Sequence, residues 1–326
     1  MKLGILGTGE MAGRVAAAVA KMKNVEVAAA ASRNLEDACT FGLKHDIRRV
    51  FGKYEGLLQD EEVDLVYIPA PQSYHALYSS DCISKGKPVL VEKSFAVNAD
   101  QAEALIAKAE SEKVFITEAM WSRFTPMARK LKSLISDGRI GKINSISIRC
   151  GEDMRTLQRV TDPAFGGGAL LEKGVCAIDL IMQLVDLKIA DITSEARLSR
   201  KGIDFEDNII LSFREGDEEV RCMIYASVIG AAENTATVYG SGGYIVVGDL
   251  SEISSIKIYD SKGRLTEDIE APQYEETAFS FALEACRKAI EEKKLECEEL
   301  THREIVLRMK ILDLIRRGMG VKYPFE

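Results

Sequence analysis

The sequence is poor in the residues that several protein classes depend on. It has only three histidines, His45, His75 and His302, far apart in the chain. No helix can therefore carry the paired imidazoles of a zinc protease. Its seven cysteines are an odd number and include no CxxC pair. They imply neither a disulfide framework nor a metal site, and they fit a reducing cytoplasm. Long apolar runs are missing: Val15 to Ala20 and Val27 to Ala31 stop far short of the ~18–20 residues that span a bilayer. The opening MKLGILGTGEMAGRV is broken by glycines, Glu10 and Arg14 and does not read as a signal peptide. Net positive charge is also lacking, at −8. That argues against nucleic acid as a partner and leaves room only for a local basic pocket around a small phosphate. Neither nucleic acid nor membrane is an expected partner, and the expected location is the cytoplasm.

What the chain does have is the balance of a soluble globular protein, 46% hydrophobic and 29% charged over 326 residues. That length suits two domains of roughly 100–200 residues each. Up to about residue 119, strand-like and helix-like stretches alternate. Leu3 to Leu6, VEVAAAAS from Val25, Val63 to Ile68, VLVE at 89–92 and VFITEA at 114–119 read as buried strands. Leu35 to Lys44, Ala76 to Lys85 and Ala99 to Lys113 read as helices between them. This is the pattern of a parallel sheet covered on both faces. After Met120 the rhythm changes. One helix lies within WSRFTPMARKLKSLISDGRIG. INSISIR, ITSEARLSR, DNIILSFR, EVRCMIYASV, TATVYG, GYIVV and SIKIYD then read as strands of a mostly antiparallel sheet on short connections. Two helices, about Glu275 to Lys293 and Thr301 to Arg317, close the chain. The acidic run from Glu291 to Glu299 reads as a solvated helix end.

Gly7-Thr8-Gly9-Glu10-Met11-Ala12 fits GxGxx(G/A) between the first strand and the first helix. The first glycine makes the tight turn, the second admits a pyrophosphate to the backbone, and the small third residue lets helix and strand pack closely. The helix start adds free N–H groups and a positive dipole end. The second strand then ends Ala31-Ser32-Arg33-Asn34, without the acid that usually holds the ribose hydroxyls of NAD. Ser32 and Arg33 offer a donor and a cation instead, suited to a 2′-phosphate. The expected cofactor is NADP, with NAD also possible. The expected fold is α/β. Residues 1–120 form a doubly wound parallel sheet of Rossmann type, and residues 121–326 a substrate-binding and dimerisation domain with an open, mostly antiparallel sheet. The last helices are free to pack back on the first domain.

Three further segments carry a resemblance. They are Pro71-Gln72-Ser73-Tyr74-His75, Glu92-Lys93-Ser94, and GGGALLEKGVCAID from Gly166. In that order and at those separations the chain resembles the glucose–fructose oxidoreductase, inositol dehydrogenase and rhizopine-catabolism (Gfo/Idh/MocA) family over nearly its whole length. Glu118 to Phe124 and the ending GVKYPFE look most like its dihydrodiol and xylose dehydrogenase branch. The resemblance implies an NAD(P)-dependent oxidoreductase acting on a sugar, polyol or cyclic diol. It also implies a second-domain sheet that pairs with another subunit, in a homodimer or higher oligomer. The family usually reads Glu-Lys-Pro and then Asp-x-Gly-x-(His or Tyr). Here Glu92 and Lys93 match and Ser94 replaces the proline. Glu172 replaces the aspartate, Gly174 matches, and Cys176 stands where the catalytic histidine or tyrosine would be.

Oxidising an alcohol moves a proton as well as a hydride. Lys93 follows a buried strand end, where sheets of this type bind ligands, and partial burial would suit it to proton transfer. Glu92 either orients Lys93 or the nicotinamide amide, or caps the strand. Glu172 and Cys176 share one face if their segment is helical. Glu172 reads as a ligand for a substrate hydroxyl, a partner of Lys93 or a solvent-facing acid. Cys176 reads as a proton relay or a small core residue. Pro71 and His75 are placed beside the cofactor by the resemblance, although His75 also suits a packing role. Trp121 and Phe124 either wall an apolar part of the substrate site or belong to the core. Arg155 and Arg159, ahead of the glycines, are cations for an acidic substrate or plain surface residues. Gly167 and Gly168 are expected to leave backbone bare for a ligand or to adopt positive φ. A competing reading is a nucleotide-binding sensor of the same fold that has lost catalysis, suggested by Cys176 and opposed by Lys93.

Overall fold

In the computed structural model, which describes residues 1–272 and 277–326, the chain divides into two compact units. One comprises Met1–Trp121 and Tyr274–Leu307, the other Ser122–Gln273 and Arg308–Glu326.

In the first unit β1 (Lys2–Leu6) leads through the glycine turn into α1 (Glu10–Val19). The helix buries Ala12, Val15, Ala16 and Val19 at helical spacing. There follow β2 (Glu26–Ala31), α2 (Leu35–His45), β3 (Arg49–Phe51), α3 (Tyr54–Leu58) and β4 (Leu65–Ile68). Next come α4 (His75–Ile83), β5 (Val89–Glu92), α5 (Ala99–Glu112) and β6 (Ile116–Ala119). All six strands pair in parallel in the order β3-β2-β1-β4-β5-β6. Strand order therefore reverses between β1 and β4, and ligands of such sheets lie outside the C-terminal strand ends at that point. β4 and β5 are buried at every residue, which is why their sequences run apolar instead of alternating. The first unit also holds β3 and α3, two short elements absent from the sequence-based expectation.

In the second unit α6 (Pro126–Ser136) starts at Thr125, whose hydroxyl accepts the Ala128 N–H at 3.2 Å, with Pro126 in the first turn. β7 (Ile143–Gly151), α7 (Gln158–Thr161), α8 (Val175–Leu184), β8 (Lys188–Leu198), β9 (Asp204–Glu215) and β10 (Glu218–Ser227) follow. Then come β11 (Thr235–Gly240), β12 (Gly243–Gly248), β13 (Ser255–Asp260) and β14 (Leu265–Glu270). The eight strands are ordered β14-β13-β12-β11-β7-β10-β9-β8. All neighbours are antiparallel except β7 and β10. Ile209, Leu211 and Phe213 of β9 and Cys222 and Ile224 of β10 point to the buried face, and residues 170–174 pack on these two strands. Ile210 and Met223, paired in register on the opposite face, are 45% and 47% exposed.

Two helices close the chain, α9 (Ala278–Glu291) and α10 (His302–Met319). The expected start of the first, at Glu275, lies outside the described residues. In the second unit Asp179 of α8 accepts Nη1 of Arg123 at 2.8 Å and Nη1 of Arg308, which is fully buried. Removing either partner of such a cluster strands a buried charge.

Candidate active site

The turn after β1 has the backbone that a dinucleotide needs. Gly7 sits at φ +137°, a conformation open in practice to glycine alone, and its N–H bonds Ala31 O at 2.9 Å. Gly9 precedes α1, and a Cβ there would meet nothing within 4 Å. The space above the helix start is open to a ligand. Ala12 is fully buried, so the third position of the motif is small because the helix lies close on the sheet. A cavity of about 800 Å³ opens beside this turn, lined by Thr8, Gly9, Glu10 and Arg14 and, from α2, by Asp37 and Lys44. Arg14 lies over the Phe279 ring at 5.3 Å and donates to Met11 Sδ at 3.6 Å.

At the end of β2 the Ser32 N–H bonds Phe51 O at 3.0 Å, so the missed strand β3 holds this turn in the sheet. Ser32 is buried, its Oγ facing the Asn34 N–H at 3.5 Å, and Asn34 caps α2 through Glu36 N–H at 2.9 Å. Arg33 is exposed between them. Beyond it lies an aromatic group the sequence reading missed. Tyr54 meets Tyr78 edge-on at 5.0 Å, and Tyr74 stacks on Tyr78 at 5.5 Å. Burial pushes the Tyr54 and Tyr78 hydroxyls up, and the Arg33 guanidinium opposes this. The signal was available: Tyr74 and Tyr78 are one helical turn apart.

Glu92 ends β5 with its carboxyl buried. Oε1 accepts the Tyr67 hydroxyl at 2.6 Å and Trp121 Nε1 at 3.0 Å, and Oε2 faces the Lys93 N–H at 3.3 Å. Burial pushes the Glu92 carboxyl up, while Tyr67, Lys93 and Trp121 pull it back. Trp121 meets Tyr67 and Phe279 edge-on, at 5.9 and 4.7 Å. Its place is as a donor to Glu92 within an aromatic cluster, in keeping with the core alternative for Trp121. Phe124, 1% exposed, is likewise a core side chain. Lys93 is half-buried just past the strand end. His75 has no exposed surface, and its two ring nitrogens stand 2.7 Å from Ser94 O and 2.7 Å from Ala70 O. It ties the loop after β4, which holds Pro71, to the loop after β5. Glu118, fully buried, does similar service by accepting the Phe95 N–H at 2.9 Å.

In the second unit the glycine segment turns into a helix. Leu170–Gly174 form a π-helical turn that runs directly into α8. Tyr323 from the chain's end donates to Gly167 O at 2.9 Å, and the Leu170 N–H donates to Asp204 Oδ2 at 2.7 Å. A Cβ on Gly168 would stand 2.2 Å from Asp204 Oδ1, and one on Gly167 2.2 Å from Val160 O. The bare backbone makes room for the protein's own groups, and Gly168, at φ +120°, takes the positive φ that was one of the two expectations for it. Glu172 is buried, not solvent-facing, and Oε2 accepts Arg159 Nη1 at 2.8 Å. Cys176 is half-buried on the first turn of α8. Arg155 is exposed and held by Asp153 through Nε at 2.9 Å and Nη2 at 2.6 Å. Of the two arginines, it is Arg159 that reaches the segment.

Comparison with known proteins decides the family. Residues 1–120 match the family model described as the oxidoreductase family, NAD-binding Rossmann fold, and residues 128–246 match the GFO/IDH/MocA C-terminal domain. The chain belongs to the Gfo/Idh/MocA oxidoreductase family. It is an oxidoreductase with an NAD(P)-binding domain. Among its Gfo/Idh/MocA relatives, the trans-1,2-dihydrobenzene-1,2-diol dehydrogenase of Xenopus laevis is 28% identical, over 99% of this chain and 99% of that one. The Homo sapiens enzyme of the same name is 32% identical over 68% of this chain and 65% of its own length. A 3-ketoreductase from Actinomadura kijaniata, solved with NADP and TDP-benzene, has a TM-score of 0.87 at 23% identity, covering 98% of each chain. An aldose-aldose oxidoreductase from Caulobacter crescentus, solved with glycerol, has a TM-score of 0.87 at 21% identity, covering 98% of this chain and 97% of that one. At these identities the two structures speak to the fold. Among the described residues of this Gfo/Idh/MocA chain, no helix is long and apolar enough to cross a membrane, and no three acidic, cysteine or histidine side chains are grouped to hold a metal.

Proposed function

We propose that this chain is an NADP-dependent oxidoreductase that moves a hydride between the nicotinamide ring and the carbinol carbon of a sugar, polyol or cyclic diol, with Lys93 as the proton-transfer group. The observation that carries this reading is Lys93 at the C-terminal end of β5, beside a Glu92 held by Tyr67 and Trp121, on the same sheet edge as the Gly7 turn. When bound, the nicotinamide supplies or accepts the hydride. The chain's part is the proton. In oxidation Lys93 Nζ takes the hydroxyl proton as the alcohol becomes a carbonyl, and in reduction it returns that proton to the oxygen. Glu92 acts as a positioning residue, keeping a carboxylate beside the lysine. In the second unit Glu172, oriented by Arg159, is the candidate acceptor for a substrate hydroxyl, with Cys176 four residues on. The relatives named as dihydrodiol dehydrogenases support an alcohol or ketone substrate. The NADP bound to the 3-ketoreductase supports the phosphorylated cofactor. A sensor without chemistry would have no use for a strand-end lysine beside a carboxylate that two side chains hold, which favours the enzyme over the regulatory reading. The test is a panel of sugars, polyols and dihydrodiols with NADP, followed by the absorbance of the reduced nicotinamide. No turnover on any of them would leave the regulatory reading standing.

Cofactor choice rests on Ser32 and Arg33. Arg33→Ala is expected to weaken NADP by roughly 1–3 kcal/mol, the scale of a lost charge-assisted hydrogen bond, and to change NAD little. Calorimetric titration measures both, and equal affinity of the wild type for the two cofactors would sink the assignment.

The exposed face of the second sheet, with Ile210, Met223 and Tyr239, is proposed to pair with a second copy about a two-fold axis. Light scattering is expected to give a dimer mass, and a monomer at micromolar concentration would refute it. Among the described residues none of the seven cysteines is joined in a disulfide, and we place the protein in the cytoplasm. Recovery in a secreted fraction on cell fractionation would contradict that.

A further inference from the structure

Beneath the glycine segment lie two carboxyls that no part of the proposed mechanism uses. Asp204 opens β9 and is 1% exposed, and Asp207, on the same strand, is 0% exposed. Asp204 Oδ2 receives the Leu170 N–H at 2.7 Å. Asp207 lies against Asp204, and among the described residues neither of its oxygens receives a hydrogen bond from any other group. The other charged and titratable groups that face the pair come from α10 and the chain's end. Arg316 is engaged by Asp313 at 3.1 Å and by Glu326 at 2.6 Å. The hydroxyl of Tyr323 is engaged by Gly167 O.

Two buried carboxylates in contact cannot both carry charge. A buried carboxylate that accepts nothing is costly by itself. One proton between the two removes both difficulties. Asp207 becomes the donor, Asp204 the acceptor, and the remaining negative charge sits where the Leu170 N–H points.

We propose that Asp204 and Asp207 share one proton and act as positioning residues, the bridged pair holding Leu170 and thereby the π-helical turn that carries Glu172. The functional half of this rests on the reading that the turn belongs to the substrate site. Burial pushes Asp204 up to about 6 and Asp207 well above the carboxylate range, with the Asp204 charge adding to the rise at Asp207. The pair therefore keeps one proton at neutral pH. Because both folded-state values are raised and stand apart, the one-proton bridge is complete between about 6 and the higher value, and is lost as pH rises through the higher one.

The experiment is hydrogen exchange of the peptide spanning Gly166–Cys176, followed by mass spectrometry across pH in the full chain, for wild type, Asp207→Asn and Asp204→Ala. In the wild type, protection is expected to fall ~10–100-fold between neutral and alkaline pH as the hold on Leu170 loosens. In Asp207→Asn the side-chain amide donates permanently to Asp204, so protection is expected to stay level. In Asp204→Ala it is expected to be low at every pH. Should Asp204→Ala fail to fold, wild type against Asp207→Asn still decides. Protection in the wild type that ignores pH, or an Asp207→Asn profile that follows the wild type down, overturns the shared proton whether or not the chain turns over any alcohol. With a turned-over substrate, KM is expected to rise over the same pH range in the wild type and not in Asp207→Asn. A level exchange profile in Asp207→Asn with an unchanged KM profile would overturn the positioning role and leave only a structural bridge.

Discussion

Lys93→Met lowers kcat by ~10²–10⁴ and leaves cofactor binding nearly intact: that is the expected result if the strand-end lysine moves the proton, since general acid–base catalysis is worth about that much. Methionine keeps the length and the packing of the stem and removes only the ionisable group. Glu92 stays in place, because two of its donors, Tyr67 and Trp121, are untouched. The fall should therefore appear in kcat and in kcat/KM alike. Cys176→Ser is the matched comparison. The thiol is half-buried at the start of α8, and a hydroxyl of similar volume should cost less than about tenfold, as expected of a group outside the proton transfer. Cys176→His should be tolerated if the backbone already has the family's geometry, and can raise activity by restoring an imidazole. Steady-state kinetics on the turned-over alcohol separates the cases. If Cys176→Ser were as damaging as Lys93→Met, the thiol would be the acid–base group. If neither mattered, the chemistry would lie elsewhere.

How much of this was legible in the sequence depends on range. The Gly7 turn could be read because its reason is local: an apolar strand, a positive φ and a helix start lie within a dozen residues. Lys93 could be read because β5 is a short apolar run with an abrupt polar end. β3 could not, being only Arg49–Phe51 with a basic residue inside and no room for a period. β14, Leu265–Glu270, is an edge strand with mostly exposed side chains, so its residues carry little apolar signal. The parallel pairing of β7 with β10 is a long-range choice that neither strand's own pattern records. The site's supporting residues were hidden for a related reason. Tyr67 reads as one more apolar residue in LVYI until its hydroxyl is seen on Glu92. Asp204 sits at the start of a strand, where an acid ordinarily marks a turn, and nothing local tells it from a solvated one. Glycines 167 and 168 could be read as leaving backbone bare for a ligand or taking positive φ, which Gly168 does, but their close neighbours, Val160 and Asp204, could not, because they are not adjacent in sequence.

The nearness of Asp204 changes what Gly168→Val should do. A side chain placed there because substrate needs the backbone would raise KM and leave the fold alone. The structure expects stability to suffer first. Gly168 has φ +120°, where a β-branched residue is strained by about 1–3 kcal/mol. Its Cβ would also stand 2.2 Å from Asp204 Oδ1. That carboxyl cannot simply swing away, because its other oxygen holds the Leu170 N–H and it lies against Asp207. Overpacking of this kind adds roughly 1–3 kcal/mol. Together these predict a loss of about 2–6 kcal/mol, or roughly 4–24 °C in the unfolding midpoint, with KM rising as Glu172 is displaced. Gly202→Val is the control, since Gly202 also has positive φ, at +80°, but a Cβ there meets nothing within 4 Å. It isolates the backbone term and should cost clearly less. Thermal unfolding of both variants measures the difference. If Gly168→Val proved no more destabilising than Gly202→Val while KM still rose, the glycine would be serving the ligand after all, and the carboxyl beneath it would be a bystander.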